Sequence, residues 1–359
     1  MISKITLQNY RNFKKKEIKF DEGITVIVGP NASGKTNILE SIFFLATGKS
    51  FKSSKPEECV NHDEEVTRIT GKGSAGQASL EIVLTRGFLN IGKGAPEKVA
   101  KKRLLVNGSG KRMVDFSNNF NVVLFVPRDL DLVTQSPSLR RKFLDTVLSQ
   151  VDREYKRSIA SYEKGVRQRN KLLYRIREDM VHNRKWVSRS HLLFWNQLLI
   201  KNGDYISRAR EEFIEFVNST NKINDEKYSL VYDKSAISEE RLESYKNEEV
   251  ASATTLVGPH RDDFIFQIQN KKIKPLDLSS YGSRGEQRMG VLWLKIAELS
   301  FMKVKSEIIP TLLLDDIFSE LDHEHRSIVM EKIKDQQTIM TTADEHFVEN
   351  FSKSDIIRL

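Results

Sequence analysis

The stretch that decides the fold reads Gly29-Pro30-Asn31-Ala32-Ser33-Gly34-Lys35-Thr36. It follows the apolar run Ile24-Thr25-Val26-Ile27-Val28 and opens a second apolar segment. This is the pattern G-x-x-x-x-G-K-T between a strand and a helix, the context that a phosphate-binding P-loop requires. Its backbone N–H groups can bind phosphate oxygens, Lys35 can bridge the β- and γ-phosphates, and the Thr36 hydroxyl can ligate Mg²⁺. The stretch predicts an α/β fold that binds ATP with Mg²⁺.

A second apolar run, Leu312-Leu313-Leu314, ends in Asp315 and Asp316. A pair of aspartates after leucines often does no more than end a strand at a turn. Beside a P-loop the same pair is typical of a Walker B strand. We expect Asp315 to hold Mg²⁺ or its water shell, and Asp316 to be the catalytic residue that orients or deprotonates the attacking water.

Two further segments are similar to those of ABC-type ATPases. Ser283, Gly285 and Gln287 stand where that class has its signature loop, which binds the γ-phosphate of ATP held on a second protomer. Ser319 and Asp322 stand where it has the D-loop, which contacts the opposite protomer. Ser283-x-x-Glu286 is also a capping box, which any helix can have. In order along the chain, these segments favour an ABC-type head over a nucleotide kinase.

The patterns of apolar, Gly and Pro residues divide the chain into parts. Residues 1–135 contain short strand-like runs between Gly and Asn, and Ser136-Pro137 then begins a helical region with apolar residues at three- and four-residue steps. After residue 250 strand patterns return, at 254–257 and 263–266, and a helix is predicted from about 285 to 304. We predict an ABC-type ATPase lobe of mixed β-sheets with a P-loop helix, formed by 1–135 and 251–359. Residues 136–250 form an inserted α-helical lobe.

The positive charge is concentrated in the insertion. The 359 residues carry a formal net charge of +9, and residues 136–210 hold 18 Lys and Arg against 7 Asp and Glu. Such an excess is typical of a nucleic-acid surface, although a run of charge can also be only a solvated face. The candidate DNA-binding residues are Arg140, Arg141, Arg167, Arg169, Lys171 and Arg175. The basic loop at 93–103 is the second candidate surface.

Composition excludes several classes. A single cysteine, Cys59, cannot form an intrachain disulfide, and it is predicted to be a buried structural thiol. No run approaches the about 18 apolar residues that a membrane span needs. We therefore expect a cytoplasmic protein without a membrane partner. His346 follows the strand that ends in Thr341-Thr342, and it is predicted to lie at the surface.

Seven segments besides the P-loop occur in an order that resembles the RecF family: Asn9-Tyr10-Arg11-Asn12-Phe13, Thr47-Gly48-Lys49-Ser50-Phe51, Pro127-Arg128-Asp129-Leu130, Arg140-Arg141-Lys142-Phe143-Leu144-Asp145, Gln168-Arg169-Asn170, Gly258-Pro259-His260-Arg261-Asp262-Asp263 and Leu314-Asp315-Asp316-Ile317-Phe318-Ser319-Glu320-Leu321-Asp322. The resemblance implies an ATP-driven homodimer that clamps gapped or double-stranded DNA near single-strand junctions. It implies slow ATP hydrolysis as a reset and partnership with RecR and RecO in loading the recombinase. It also implies a place in DNA replication, repair of DNA damage and the SOS response, at the nucleoid.

One departure concerns the signature loop, where Glu286 stands at a position that is usually Gln in the family that the chain resembles. A carboxylate in the first helical turn repels a γ-phosphate unless it turns toward the Ser283 backbone. The segment at 258–263 is typical of the family, but its residue types predict no catalytic step.

Two alternatives remain open at this point. A monomeric P-loop kinase or other transferase explains the P-loop and Asp315, but it gives the signature and D-loop segments no role. An SMC-like head that uses ATP only as an assembly switch is the third interpretation. Dimerisation on ATP separates a head-to-head machine from a monomeric enzyme.

Overall fold

The computed structural model describes residues 1–73, 78–90, 92, 95–117, 119–182, 190–220, 227–269, 274–306, 308–320, 323–352 and 355–359. The strands and helices of the first part are β1 Ile2–Tyr10, β2 Phe13–Lys19, β3 Ile24–Val28, α1 Lys35–Thr47, β4 Val66–Gly73, β5 Ser79–Thr85, β6 Phe88–Leu89, β7 Glu97–Lys98, β8 Lys102–Val106, β9 Ser109–Gly110, α2 Met113–Phe116 and β10 Val122–Phe125. Those of the middle part are α3 Asp131–Thr134, α4 Pro137–Val151, α5 Arg153–Val181, α6 His191–Ser219, β11 Lys227–Asp233, α7 Glu239–Ser244, α8 Lys246–Ser252, β12 Asp263–Gln269, β13 Leu276–Asp277 and α9 Leu278–Tyr281. The last are α10 Arg284–Lys305, β14 Thr311–Asp315, α11 Ile317–Glu320, α12 His323–Lys332, β15 Thr338–Thr342 and β16 Ile356–Arg358.

These elements form two compact units. The first unit comprises Met1–Asp129 and Glu298–Leu359, and the second comprises Leu130–Ala297. Residues 251–297 thus group with the helices of the middle part, whereas the lobes predicted above place them with the ATPase lobe. The assignment of separate roles to the two lobes stays a prediction.

In the first unit, helix α1 lies between two large sheets, and a small separate sheet pairs β6 with β7. One sheet is antiparallel, in the order β2-β1-β4-β5-β8-β9, and the other is parallel, in the order β10-β14-β15-β3-β16. Ile38, Leu39 and Ile42 of α1 belong to one apolar cluster with residues from both sheets. The α1 sequence is apolar nearly all round, which is what a helix covered on two sides requires.

The parallel sheet places the predicted nucleotide residues at one edge. Strands β3, β14 and β15 are neighbours, with Met340 paired to both Val26 and Leu314. Because parallel strands end at the same edge, the P-loop after β3 and the aspartates at the end of β14 lie close together. Short apolar runs predicted these strands, since strands buried on both faces are apolar along their length.

The second unit is built on a long antiparallel helix pair. Helix α4 begins at Pro137 with Ser136 at the N-cap, as the sequence predicts. The side chain of Asp152 then caps α5 by accepting hydrogen bonds from the N–H groups of Glu154 and Tyr155. Helices α5 and α6 approach so closely at Gly165 that a Cβ atom there would lie 2.9 Å from Leu199. This close contact fixes the pairing of the two helices.

A buried polar cluster lies at the base of that helix pair. Arg210 of α6 is 1% exposed, and its guanidinium donates to the carboxylates of Asp145, at 2.8 Å, and Asp262, at 2.9 Å. The hydroxyl of Tyr155 also donates to Asp145, at 2.6 Å. Burial alone would lower the pKa of Arg210, but Tyr155, Asp145 and Asp262 together raise it, so the guanidinium stays charged.

The family-typical segment at 258–263 supplies part of this cluster. Gly258 has φ +120°, and a Cβ there would lie 2.1 Å from the Tyr162 hydroxyl, so only glycine fits. His260 contacts the Tyr162 hydroxyl through Nδ1, at 2.8 Å, and the Thr255 carbonyl through Nε2, at 3.0 Å. The segment that lacked a role in the sequence therefore holds the middle of the second unit together.

One sequence prediction in this region is wrong, and a second is incomplete. Residues 254–257 are not a strand, because side chains satisfy their backbone: Thr255 N donates to Asn170 Oδ1 and Leu256 N donates to Glu249 Oε1, both at 2.8 Å. The insertion is also not purely helical, since it includes strand β11, which pairs with β12. The alternation of Tyr228, Leu230 and Tyr232 in β11 was the signal that could have found this strand.

Two smaller expectations are confirmed by the same structure. Cys59 is buried, and burial raises the pKa of its thiol to about 12. The side chain of His346 is 91% exposed, as predicted. None of the helices in the described ranges is both long and apolar enough to cross a membrane.

Candidate nucleotide site

The loop between β3 and α1 has the backbone that its glycines predict. Gly34 takes φ +109°, and a Cβ there would lie 2.5 Å from Phe13 Cζ, so the position demands glycine. Ala32 also takes a left-handed conformation, at φ +66°. Pro30 and Asn31 are exposed and Ser33 is partly buried. The Lys35 ammonium is held by the loop itself, donating to the carbonyls of Gly29 at 2.6 Å and Pro30 at 2.9 Å.

The structure brings the P-loop and the Walker B strand into direct contact. The Thr36 hydroxyl donates to Asp315 Oδ1 at 2.9 Å, and the Thr341 hydroxyl donates to the same oxygen at 2.8 Å. Residues 279 positions apart in the chain thus meet at one carboxylate. Thr341 was not predicted as a site residue. Its position at the end of β15, beside Asp315 in the sheet, is the signal that could have found it.

These residues fit a magnesium–nucleotide complex. Mg²⁺ prefers oxygen ligands and usually takes one or two from protein, with phosphates and water supplying the others. Thr36 and Asp315 offer that pair, and no three His, Cys, Asp or Glu residues gather into a metal cluster in the part of the chain that the structure describes. Inside the loop, the Ser33 hydroxyl is buried without a hydrogen-bond partner. A phosphate oxygen is the kind of acceptor that this orphaned hydroxyl needs.

Asp316, the predicted catalytic residue, directly follows Asp315 at the end of β14. It takes a left-handed conformation, φ +53°, and its N–H donates to the Thr341 hydroxyl at 3.0 Å. Non-glycine residues adopt this conformation at a cost, and such residues cluster at functional sites. Thr341 therefore positions both aspartates: its hydroxyl donates to the Asp315 carboxylate and accepts from the Asp316 N–H.

A turn from the antiparallel sheet lies against the P-loop, which sequence reasoning did not predict. Between β1 and β2, the Asn12 amide donates to the Ser33 carbonyl at 3.1 Å, and Asn37 donates to Asn12 Oδ1 at 2.8 Å. Arg11 anchors this turn through two hydrogen bonds to the fully buried carboxylate of Glu40 on α1, at 2.9 and 2.6 Å. The only sequence signal was the resemblance of residues 9–13 to the family.

The predicted signature loop lies in the second unit and forms the capped start of helix α10. Ser283 N donates to the Glu286 carboxylate at 2.7 Å, and Glu286 N donates to the Ser283 hydroxyl at 3.3 Å, so the capping box is formed. The carboxylate of Glu286 is thereby turned toward the Ser283 backbone. Ser283 and Gly285 are exposed.

Gln287 is buried, whereas a residue that contacts a second protomer is expected to be exposed. It is 6% exposed, and its amide donates to the carbonyls of Leu278 at 3.2 Å and Gly282 at 3.3 Å. We therefore correct its role: Gln287 supports the loop from within its own unit. In the predicted D-loop, Ser319 is exposed and donates to the Asp316 carbonyl at 2.6 Å, whereas Asp322 lies outside the described residues.

The candidate DNA-binding residues fall into two groups. Arg140 is 8% exposed and pairs with both carboxylate oxygens of Asp263, at 2.6 and 2.9 Å. Arg169 is 2% exposed and donates to Glu249 at 2.6 Å. A guanidinium enclosed by protein and bound to a carboxylate cannot reach a DNA phosphate, so the prediction is wrong for these two. Arg141 is partly buried and donates to the Asp262 carbonyl at 2.8 Å.

The remaining three candidates, Arg167, Lys171 and Arg175, are exposed. They are spaced by four residues along α5, so they form one stripe on its outer side. This stripe is the part of the predicted DNA surface that remains available. Of the second candidate surface at 93–103, Lys93 lies outside the described residues, while Lys98 and Arg103 are exposed.

Comparison with known proteins decides the family. The family model described as RecF/RecN/SMC N terminal domain matches residues 1–358. The DNA replication and repair protein RecF of Lachnospira eligens is 34% identical over 362 residues, which cover 98% of this chain and 94% of that protein. The chain belongs to the RecF family. RecF of Clostridium acetobutylicum is also similar, at 32% identity, with 99% of this chain and 96% of the relative covered.

Solved structures agree with this membership. A structure of the recombination mediator protein RecF, described as RecF-ATPrS, matches with a TM-score of 0.84 and 28% identity, covering 100% of this chain and 96% of that chain. A second, described as RecF-ATP, matches with a TM-score of 0.83, 29% identity and coverage of 96% and 92%. An Smc head bound to the C-winged helix domain of ScpA, at 16% identity and a TM-score of 0.53, covers 99% of this chain and 93% of that chain, and shows the fold alone. The ABC-type ATPase head predicted from the sequence is thereby confirmed.

Proposed function

We propose that this RecF-family chain is an ATP-dependent DNA clamp of recombinational repair. Two copies close head to head on ATP, hold gapped or double-stranded DNA near single-strand junctions and help to load the recombinase, and slow ATP hydrolysis resets the clamp. RecR and RecO are its proposed partners, and the cytoplasm, at the nucleoid, is its proposed location. Support comes from relatives named DNA replication and repair protein RecF and from solved RecF structures described within the RecFOR pathway.

The observation that carries the ATPase part is the contact between Thr36 and Asp315. A P-loop alone is compatible with many proteins, and so is a strand that ends in two aspartates. Their side chains meet at 2.9 Å, which supports a single site for phosphate and Mg²⁺. Mg²⁺ held by Thr36 and Asp315 would supply positive charge to the transferred phosphoryl group.

The chain's own residues divide the remaining work. Residues 29–36 present backbone N–H groups and the Lys35 ammonium to phosphate oxygens. Asp316 is proposed to accept a proton from the attacking water or to orient it, with its backbone held by Thr341. Thr36 and Asp315 are proposed to hold the metal, with Asp315 fixed by two hydroxyl donors.

In the proposed dimer, the signature loop of one copy contacts the nucleotide of the other. Ser283 and the start of α10 are exposed, and the Glu286 carboxylate is occupied by its own helix start, so it does not oppose a γ-phosphate there. We propose that Ser283 and Gly285 bind the γ-phosphate of ATP held by the second copy. Ser319 and Asp322 are proposed to contact that copy next to the same nucleotide.

Sedimentation velocity with ATP and Mg²⁺, compared with ADP and Mg²⁺, tests this proposal. We expect a dimer with ATP and a monomer with ADP, because only the γ-phosphate reaches the second copy. Nucleotide at about a hundred times its dissociation constant contributes roughly 2.7 kcal/mol to the state that binds it. Asp316→Asn is expected to prolong the dimer, and Lys35→Ala to abolish it. Equal sedimentation in the two nucleotides would instead favour a monomeric P-loop enzyme.

A further inference from the structure

The antiparallel sheet of the first unit carries a dense set of cations on its solvent side. Side chains alternate between the two faces of a strand, and Ile5 and Leu7 of β1 point into the core. The opposite face carries six cations, which we call the basic sheet face: Lys4, Lys15, Lys19, Arg68, Lys72 and Arg103. They come from strands β1, β2, β4 and β8.

The strand register places these cations in rows across the sheet. In one row, Lys4 is directly paired with Lys19 on one side and with Lys72 on the other. In a second row, Lys15 and Arg68 flank Gln8, and the row continues through Val83 to Arg103. The face therefore extends over five adjacent strands, of which only β5 contributes none of the six cations.

Two carboxylates lie between the rows and offset only part of this charge. Glu17 receives a hydrogen bond from Lys4 at 2.6 Å, and Glu81 pairs with Arg68. The hydrogen bond from Lys4 lowers the pKa of Glu17, and the nearby Lys19 and Lys15 lower it further. Within the described ranges, the other four cations of the face form no ion pair: Lys15, Lys19, Lys72 and Arg103.

Folding alone does not account for this arrangement. Like charges directly opposite each other on neighbouring strands destabilise a sheet. Lysines on an edge strand prevent edge-to-edge aggregation, which accounts for Lys15 and Lys19 on β2. It does not account for Lys4 and Lys72, because β1 and β4 are interior strands. A sheet that keeps three adjacent lysines in one row maintains an unfavourable arrangement that a polyanionic partner relieves.

We infer that the basic sheet face binds the sugar-phosphate backbone of duplex DNA. This inference rests on the proposed function and adds a DNA-contacting surface in the unit that contains the P-loop. Neighbouring strands lie about 4.8 Å apart and alternate residues of one strand about 6.8 Å apart, so the cations form a grid. Duplex DNA carries about one negative charge per 1.7 Å of its axis, which such a grid can match. A pleated face has no element that enters a groove, so binding is independent of base sequence.

The test measures the salt dependence of duplex binding by fluorescence anisotropy, in the presence of ATP and Mg²⁺. The variant carries Lys19→Gln, Lys72→Gln and Arg103→Gln, which removes cations from both rows and leaves the two ion pairs intact. The matched control carries Lys55→Gln, Lys111→Gln and Arg112→Gln, exposed cations of the same unit outside the face. Circular dichroism and sedimentation with ATP check that both variants fold and dimerise like the wild-type chain.

We expect the salt slope of the face variant to decrease by about 0.9 for each DNA phosphate that the variant no longer neutralises. Suppose that the three substitutions remove three phosphate contacts. Raising the salt concentration from 50 to 200 mM then weakens DNA binding of the variant by a factor that is about 40 times smaller than the factor for the wild-type chain. The control variant is expected to keep the wild-type slope.

The possible outcomes separate this inference from the proposed function. A wild-type slope in the face variant overturns the inference and leaves DNA binding intact. Absence of duplex binding by the wild-type chain overturns the proposed function and the inference with it. If the face variant loses binding to phosphatidylglycerol vesicles but keeps its DNA slope, the face serves a lipid surface and the inference is wrong.

Discussion

Arg167 and Arg169 lie two positions apart on helix α5 and have opposite surroundings. The Arg167 side chain is 65% exposed and stands 3.9 Å from Glu163, one turn away. The Arg169 side chain is 2% exposed and donates to the fully buried Glu249, to Thr255 and to Asn196. Arginine therefore lies at the surface at position 167 and in the interior at position 169.

This contrast gives a stability prediction. Arg169→Gln is expected to lower the free energy of unfolding by about 3–5 kcal/mol, because it leaves the Glu249 carboxylate buried without its charged partner. Arg167→Gln is expected to change it by less than about 0.5 kcal/mol, since an exposed pair one turn apart contributes little. Urea denaturation followed by circular dichroism measures both. Equal losses for the two variants would contradict the buried position of Arg169.

His260 gives a prediction about pH. Burial lowers the pKa of His260 below its ordinary value of 6.5, and the nearby Arg261 and Arg141 lower it further, whereas the Thr255 carbonyl and Asp262 act in the opposite direction. The folded chain therefore keeps this imidazole neutral at a pH where the unfolded chain protonates it. Stability is fully present above the unfolded pKa and decreases as the pH falls below about 6.5.

His260→Gln tests this dependence, because an amide can accept from the Tyr162 hydroxyl and donate to the Thr255 carbonyl without titrating. Urea unfolding at pH 7.5, 6.5 and 5.5 is expected to show a smaller loss of stability in the variant. The difference approaches at most about 1.4 kcal/mol per pH unit, the amount for one proton. Parallel pH curves for the two proteins would show that His260 is accessible to protons in the folded chain.

At the scale of elements, helix α5 carries a structural side and a side that we propose to bind DNA. Arg167→Gln, Lys171→Gln and Arg175→Gln together are expected to reduce the slope of log affinity against log salt by about 1–3, since each phosphate contact contributes about 0.9. Anisotropy titrations with duplex DNA at several salt concentrations measure this slope. ATP-driven dimerisation is expected to stay unchanged.

A matched control for this experiment carries Lys142→Gln, Lys201→Gln and Arg208→Gln, exposed cations on α4 and α6. If control and stripe variants reduce the slope equally, the effect comes from net charge and not from a surface on α5. Arg169 is left out of the stripe variant because its loss would destabilise the unit and confuse the measurement.

The helices and strands differ in how far the sequence alone predicts them. The start of α4 and the strands β3, β10 and β14 were predictable because Ser-Pro pairs and apolar runs act locally. The burial of Arg140 and Arg169 was not, because their carboxylate partners lie 123 and 80 positions away and periodicity does not reveal them. The P-loop and Walker B residues came from short motifs. By contrast, Asn12 enters the site from the turn between β1 and β2, and Thr341 enters it through the pairing of β15 with β14.

For the whole molecule, the proposed dimer has two composite sites, each with a P-loop from one copy and a signature loop from the other. Lys35→Ala damages the first half of a site and Ser283→Arg damages the second. Each variant alone is expected to lack ATPase activity. A mixture is expected to recover part of it, because a heterodimer contains one intact site and one doubly damaged site. Phosphate release assays on titrated mixtures measure this recovery.

Heterodimer formation must be shown independently, with differently tagged variants and co-purification in ATP. No recovery in a mixture that does form heterodimers would indicate sites that close within one chain. Full ATPase activity of Ser283→Arg alone would show that the signature loop takes no part in ATP hydrolysis.

The position of β3 in the parallel sheet bears on how the chain is made. This strand leaves the ribosome long before its neighbour β15, which begins at Thr338 and pairs that residue with Ile24. At about 5–20 residues per second, synthesis of the intervening segment takes roughly 15–60 s. Throughout that time the apolar strand Ile24–Val28 has neither of its final neighbours, while β1, β2, β4 and β5 can already pair. The nascent chain can therefore form its antiparallel sheet before the parallel sheet and the candidate nucleotide site are complete.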